Sequence, residues 1–366
     1  MSIDKRPDGK YRARIREYPG GPERSKQFAR KLDAERWVAE MRVAIARGSY
    51  LTADEMKITF GQYAQTYLSR QIWVDTTRRV ACNSLQRAED HFGPARPLSS
   101  IRRGDVQAYV VSLTSQFAPG TVRTNFQHVR TMMRAAHIDG VITVDPTMGI
   151  TLPKVTSELV ILSPDQTCGL LDAADPAFRA AIVLGAHVGL RAGEVQGLFV
   201  SDIDFLRRTI NVRRQLDGRT SAMTLKAPKS KAGTRSVPVP SVVLDVLAAH
   251  VQQFGAGRDG VLMHTDGEYL SNNQLNYQWR RAQVGAGHVK GSLRFHWLRH
   301  AFASSLISAG VSVKAVADAM GHENPAVTLR TYASLWPGDD DRIRTALEGV
   351  WNIADLLRTK SAQTGS

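Results

Sequence analysis

The spacing of apolar residues changes along the chain and divides it into three. In residues 10–18, KYRARIREY, Tyr11, Ala13 and Ile15 alternate with Arg12, Arg14 and Arg16. A period of two puts the apolar side chains on one face of a strand and the three arginines on the other. Residues 19–21, Pro-Gly-Gly, supply a turn, and a second short strand is expected around 24–28. Asp33 then caps a helix whose apolar face is Trp37, Val38, Met41 and Ile45, ending before Gly48. Residues 1–50 are thus expected to form a small sheet packed on one helix, with the arginines turned outward.

Beyond a linker at 51–57 the period becomes helical. Helices are expected near 58–71, 76–91, 104–115 and 120–138, with Asp105 near the start of the third and Pro119-Gly120 before the fourth. A second linker, about 145–162, holds Pro146 and Pro153 and has no helical period. Ser163 caps the next helix, and the remainder is mixed. Helices near 164–174, 177–189 and 192–199 precede strands near 208–214, 221–226 and 234–238, and helices follow. The expected fold is multidomain and mainly α with small β elements. It comprises a sheet-plus-helix unit (1–50), a helical domain (58–150) and a mixed α+β domain (160–366).

Composition narrows the partners. No stretch approaches the roughly 18 consecutive apolar residues of a membrane span, and the N-terminus lacks the apolar core of a secretory signal. Cys82 and Cys168 are too few and too far apart for a disulfide framework or a cysteine-based zinc site, and they fit a reducing cytosol. The 48 Lys and Arg outweigh 34 acidic residues for a net charge of +14, and arginine supplies 36 of those cations. Guanidinium suits phosphate oxygens, so nucleic acid is the expected partner and no membrane is. Within residues 1–50, 13 basic residues face 7 acidic ones, which makes Arg12, Arg14 and Arg16 candidates for a DNA groove. The fourth helix of the second unit carries Arg123, Asn125, Gln127, His128, Arg130 and Arg134. Such a run is either an ordinary solvated face or a helix lying on a phosphate backbone.

Four places in the third unit are cationic or polar beyond what a plain helical domain needs. In GAHVGLRAGEVQGL (185–198) an apolar helix stops at Gly189, and Arg191 opens the next helix with Glu194 three residues on, a pattern that also suits a surface salt bridge. In KAPKSKAGTRSVPVP (226–240), Lys229 ends a strand and Gly233 makes a tight turn. In RFHWLRHAFASSLISAG (294–310), His296 and Arg299 share a helix face and His300 follows. A basic first turn opposes the helix dipole, which is a small argument for a bound anion. In MGHENPAVTLRTYASL (320–335), His322 sits in a loop and Tyr332 lies ten residues later.

Taken in order, Arg191, Lys229, His296-x-x-Arg299, His322 and Tyr332 resemble the active-site signature of the tyrosine recombinases, the phage-integrase family. GLRAGEVQGLFVSDID resembles the family's first arginine segment, PKSKAGTRSVPVP its lysine hairpin and GHENPAVTLRTYA its nucleophile segment. Residues 1–50 are similar to the arm-site-binding domain of phage-type integrases and 58–150 to the helical core-binding domain. Trp297 departs from the pattern, since the family commonly has an acidic residue there.

The resemblance implies a 3′-phosphotyrosyl mechanism without metal or cofactor, and no carboxylate or cysteine cluster has ligand spacing. Tyr332 would be the nucleophile, with Arg191, Arg299 and His322 holding the non-bridging phosphate oxygens. Lys229 would protonate the leaving 5′-oxygen. His296 would accept the tyrosine proton or orient the phosphate, and Glu194 would buttress the arginines and histidines. It implies a homotetramer acting on double-stranded attachment sites of core and arm type through a Holliday junction, in the cytoplasm on the nucleoid. A host DNA-bending protein and a directionality factor are partners common in the family. Ile343, Leu347, Val350, Trp351, Ala354 and Leu357 form an apolar stripe after the acids Asp339, Asp340 and Asp341. That helix packs on its own domain or docks on a neighbouring protomer. Two other activities stay open: type IB topoisomerase relaxation, which shares the chemistry, and catalytically silent DNA binding on the same fold.

Overall fold

The structure, a computed structural model, describes residues 2–16, 21, 23–46, 57–155, 159–217, 223–228 and 230–336, together with 344, 345 and 347. It divides into two compact units, Met1–Ser157 and Glu158–Ser366.

The first unit opens with an antiparallel sheet of β1 (Ser2–Lys5), β2 (Tyr11–Arg16) and β3 (Glu23–Phe28), with β2 in the centre. The alternation in β2 holds, since Ala13 and Ile15 are buried. The helix α1 (Lys31–Ala46) covers that face through Ala34 and Val38, with Trp37 against Phe28. Asp33 lies inside the first turn of α1 rather than at its cap. Strand β1 is an addition. Its four residues hold one apolar side chain, Ile3, too little for a period to register, yet it pairs along β2 from Ser2 opposite Arg14 to Lys5 opposite Tyr11. The arginine face is only partly open. Arg14 reaches Asp4 at 3.1 Å, Arg16 reaches Glu23 at 3.2 Å, and Arg12 donates to Ser25 at 3.1 Å. Of the turn expected at 19–21, only Gly21 is among the described residues, and the 51–56 part of the linker lies outside them.

The same unit continues with α2 (Phe60–Ser69), α3 (Asp75–Phe92), α4 (Arg103–Thr114) and α5 (Pro119–Ile138). Each end lies within two residues of the sequence expectation. Thr59 caps α2 through a reciprocal pair with Gln62. The core is built from one apolar face per helix, including Phe60, Leu85, Tyr109, Phe126 and Met133. On α5 this buries Val122, Phe126, Val129 and Met133 and leaves Arg123, Gln127, Arg130 and Arg134 on the exposed face. Asn125 is not on that face. It is buried, donating to the Thr121 carbonyl at 2.8 Å and accepting from Arg87 at 3.2 Å. His128 is half-buried and meets the edge of Trp73.

The second unit is helical around small sheets. Helices α6 (Pro164–Asp172), α7 (Pro176–His187) and α8 (Ala192–Gln196) precede β4 (Ile203–Asp204), β5 (Thr209–Val212), β6 (Gln215–Asp217), β7 (Thr224–Lys226) and β8 (Arg235–Pro238). The strand expected over 208–214 ends at Val212. Sheet β4-β5-β8 is then left for a separate β6-β7 hairpin, in which β6 is a strand beyond the expected range. Next come α9 (Ser241–Phe254), a hairpin of β9 (His264–Thr265) and β10 (Glu268–Tyr269), α10 (Asn272–Gly285), α11 (His296–Ser308), α12 (Val313–Met320) and α13 (Pro325–Tyr332). Helix α7 is the centre, with Phe178 and Ala180 to Ala186 all buried, and α11 packs along it through Leu298 and Phe302. Trp297 is half-buried against the same core, a packing role that an acid would not fill. The acids at 339–341 and the apolar stripe of 343–357, with Trp351, lie outside the described residues except for Leu347. Among the described residues no helix is long and apolar enough to cross a membrane.

Candidate active site

The site begins where α7 runs out. Gly189 adopts φ +69°, and a Cβ there would stand 2.3 Å from the Phe302 ring, so both the turn and the packing require glycine. The turn sets Arg191 as the residue before α8, with Glu194 at the third helical position. Glu194 accepts from the Arg191 amide at 2.9 Å and from Arg191 Nη1 at 2.7 Å. This is not the surface salt bridge that the spacing also allowed, because Glu194 is 1% exposed while Arg191 keeps about a third of its side chain open. Arg235 donates to the same carboxylate from β8, Nη1 at 3.2 Å and Nη2 at 3.1 Å. Burial alone would raise the Glu194 carboxyl, but the bonds from Arg235 and Arg191 outweigh it and hold the group below its usual range.

Arg235 is a site residue for which the sequence alone raised no expectation. Its Nε donates to the Ala319 carbonyl at 2.7 Å and its Nη1 to the Gly233 carbonyl at 3.1 Å. The signal was present: positions 235, 237 and 239 share one face of a strand, and Val237 and Val239 are buried. An arginine on an inward face demands a buried acceptor.

Helix α11 supplies three more groups. Arg299 is 1% exposed and donates through Nη1 to the Gly189 carbonyl and through Nη2 to the Met320 carbonyl. It thereby pins the ends of α7 and α12 together. Burial, then the Arg191 charge, lowers it to about 9, so it is still cationic at neutral pH. His296 opens the helix and keeps an exposed side. Loss of water around it, then His300, Arg299 and Arg191, push it down to about 4. His300, one turn on, is half-buried with its ring 4.9 Å from that of His296 and is also lowered, by burial and by Arg299. The first turn of α11 is therefore less cationic than its sequence suggests, with both imidazoles neutral and Arg299 carrying the charge.

Helices α12 and α13 close the group. Gly321 ends α12 in the left-handed region at φ +63°, and a Cβ there would lie 2.9 Å from the Ala232 carbonyl oxygen. Residues 231–233 join β7 and β8, which pair in separate sheets rather than with each other as the expected lysine hairpin, and they lie directly against the turn that presents His322. His322 shares a 2.7 Å hydrogen bond between Nδ1 and the buried Thr328 hydroxyl. Burial, Arg299 and Arg191 lower it to about 4. Arg191 Nη2 reaches the Gly321 carbonyl at 3.4 Å. Tyr332, the last residue of α13, is 1% exposed, and its hydroxyl lies 2.5 Å from His300 Nδ1. Burial raises it to about 12 against an opposing pull from Arg299.

Arg191, Glu194, His296, Arg299, His322 and Tyr332 are therefore gathered from segments that lie far apart in sequence. Lys229 lies outside the described residues. His300 was visible in the sequence only as the neighbour of Arg299. Among the described residues no group of His, Cys, Asp and Glu could hold a metal ion. Of the arginines proposed to meet DNA, Arg123, Arg130 and Arg134 stand exposed on α5, Arg123 donating to the Pro153 carbonyl at 3.0 Å.

Comparison with known proteins gives this arrangement a context. Residues 161–337 match the family model described as phage integrase family. A protein named as a prophage phiRv2 integrase of Mycobacterium tuberculosis is 24% identical over 332 residues, 88% of each chain. A tyrosine recombinase XerC-like protein of Caldanaerobacter subterraneus is 25% identical over 346 residues, 84% of this chain and 86% of that one. The Tn1549 transposon integrase in complex with a circular intermediate DNA superposes with a TM-score of 0.69 at 22% identity, covering 80% of this chain and 100% of that chain. A lambda integrase tetramer bound to a Holliday junction gives a TM-score of 0.58 at 17% identity, over 88% and 96%.

Proposed function

Since this chain belongs to the phage integrase family of tyrosine recombinases, with residues 161–337 matching the family, we propose that it cuts and rejoins DNA at specific sites through a 3′-phosphotyrosyl intermediate. The observation that carries the proposal is the Tyr332 hydroxyl, enclosed beside the Arg299 charge and hydrogen-bonded to His300. Tyr332 is the nucleophile. Arg191, which keeps an open side, and Arg299 hold the non-bridging oxygens of the scissile phosphate, and His322 adds a third donor. Charge builds on those oxygens in the pentacovalent transition state, so cations held in place beforehand act there with no further rearrangement. Glu194, itself held by Arg235, fixes Arg191. Lys229 is the acid for the leaving 5′-oxygen, and His296 orients the phosphate from the mouth of the site. The bond energy is retained in the phosphotyrosyl link, so resealing needs no nucleotide.

The two parts of the first unit have separate tasks in this proposal. Residues 1–50 bind arm-type sites through Arg12, Arg14 and Arg16, and residues 58–150 bind the core site through Arg123, Arg130 and Arg134 on α5. The solved Tn1549 integrase is on DNA and the lambda integrase is a tetramer on a junction, which supports a homotetramer on paired duplexes here. A host DNA-bending protein and a directionality factor complete the assembly.

The test uses a library of nicked duplexes with a randomised centre, incubated with the full-length protein in EDTA, with SDS-resistant adducts recovered and sequenced. Wild-type protein is expected to trap a defined sequence and Tyr332→Phe to trap none. Strand exchange between two copies of the recovered duplex completes the proposal. Relaxation without exchange supports a topoisomerase, and bound DNA with no adduct supports a silent binder.

A further inference from the structure

The phosphotyrosyl chemistry needs an acceptor for the Tyr332 proton, a role that the sequence left open for His296. Tyr332 is buried and its phenol keeps its proton at neutral pH. Attack on phosphorus requires that proton to leave as the new P–O bond forms. Arg191 and Arg299 are donors without an acceptor site, and a lysine ammonium gives a proton rather than taking one. The described side chain in hydrogen-bond contact with the Tyr332 hydroxyl is His300, its Nδ1 2.5 Å from Oη and its ring inclined at 62° to the phenol.

We propose that His300 is the general base that activates Tyr332. As Oη bonds to phosphorus, its proton passes to His300 Nδ1. The bond from phosphorus to the 5′-oxygen breaks with its electron pair on that oxygen, which takes a proton from the acid. In rejoining, the 5′-hydroxyl attacks, the tyrosyl oxygen leaves, and His300 returns the proton to it. This requires the tautomer with its hydrogen on Nε2, so that the phenol donates and Nδ1 accepts.

Position and charge both support the assignment. His300 sits on the helix that Arg299 ties to the Gly189 and Met320 carbonyls, so Nδ1 is presented from a pinned element rather than a loop. The ionisable groups around it are Arg299 beside it, His296 one turn earlier and Tyr332 across from it. Burial and the Arg299 charge keep His300 below its ordinary value, so the imidazole is free to accept at neutral pH. The phenol is too weak an acid to lose its proton to this base at rest. Transfer becomes favourable only as Oη gains its bond to phosphorus, which protects the resting enzyme from an ionised nucleophile. The Tyr332 hydroxyl is hydrogen-bonded to His300 and not to His296, whose ring meets that of His300.

This inference rests on Tyr332 as nucleophile, and its test separates the two. Single-turnover adduct formation on the recovered duplex is followed in EDTA from about pH 5 to about pH 9 for the full-length protein. Wild type is expected to rise and then level off below about pH 6.5, once His300 is unprotonated. His300→Asn keeps a hydrogen-bonding group near the Nδ1 position but accepts no proton. Its rate is expected to fall by about 10² or more and to keep climbing with pH as hydroxide takes over. His300→Ala is expected to regain rate with added imidazole, which a purely structural role would not allow. His296→Gln should lose rate while retaining the levelling-off. A His300→Asn rate within about threefold of wild type with an unchanged profile overturns the inference. So does a levelling-off that His296→Gln abolishes and His300→Asn keeps. Absence of a wild-type adduct at every pH overturns the nucleophile itself, and His300 with it.

Discussion

Arg235 and Arg134 carry the same guanidinium into opposite surroundings. The side chain of Arg235 is 6% exposed, and its bonds go to Glu194 and the carbonyls of Ala319 and Gly233. Arg134 stands on the open face of α5, in line with Arg123, Gln127 and Arg130 at helical spacing. One is committed to the fold and shapes the site through a carboxylate. The other stands in solvent on a helix face. Net charge alone cannot separate these roles, because each counts as one unit of the +14.

The largest expected effect comes from breaking the buried side of this contrast. Glu194→Ala leaves Arg235 enclosed without a counter-charge, and losing one partner of a buried ion pair costs about 3–5 kcal/mol. Urea unfolding should report most of that loss, and adduct formation should fall as Arg191 loses its support. Glu194→Gln keeps one acceptor oxygen and should lie between alanine and wild type. A Glu194→Ala protein as stable as wild type would show that Arg235 is held by its carbonyl partners alone.

A smaller effect should appear on acidification. His322 is lowered to about 4 from an ordinary value of 6.5, and the exposed-sided His296 is lowered alike. Below pH 6.5 the unfolded chain therefore takes up protons that the folded chain refuses, so stability falls as the pH drops from 6.5 toward 4. Glu194 adds a loss in the same direction at lower pH, since its folded carboxyl is held below its ordinary 4.5. The urea midpoint should decline between neutral pH and about pH 5, and His322→Gln should flatten that decline. An unchanged slope in His322→Gln would assign it to other groups.

How far these arrangements were legible depends on what each residue contrasts with. The helices of 58–140 were readable because every one has a single apolar face, and a face is a local property. Ala13 and Ile15 announced β2 for the same reason, whereas β1 offered Ile3 alone and depends on pairing with β2. The polar residues of the site stood out only because their order resembles the signature of a known family. Their burial was not readable, because the enclosure of Glu194 depends on β8 and the enclosure of Arg299 on the ends of α7 and α12. Arg235 betrayed itself only by its place on the face shared with Val237 and Val239. Asn125 looked like its neighbours in a polar run, yet a helix turns about 100° per residue, and that alone moved it inside. His300 needed its hydrogen bond with Tyr332, 32 residues away, before it meant anything.

The exposed side of the contrast predicts the smallest change in stability and a distinct change in binding. Arg123→Ala, Arg130→Ala and Arg134→Ala should each alter unfolding by no more than about 0.5 kcal/mol, because no buried group loses a partner. If these side chains lie along a phosphate backbone, each replacement should weaken binding to all sequences alike. It should also lower the slope of log affinity against log salt by about one for each phosphate no longer neutralised. Arg14→Ala provides the comparison within the first unit. Arg14 is already engaged by Asp4 at 3.1 Å and is flanked by Glu23, so fewer counterions are released when it meets a phosphate. Its removal should therefore change the salt slope less than removal of Arg134. Equal slopes would mean that DNA displaces Asp4 and Glu23 from the sheet face, and that β2 is as open to DNA as α5. A wild-type slope in all three α5 variants would make that helix a solvated face and move the core-site interface elsewhere on the helical domain.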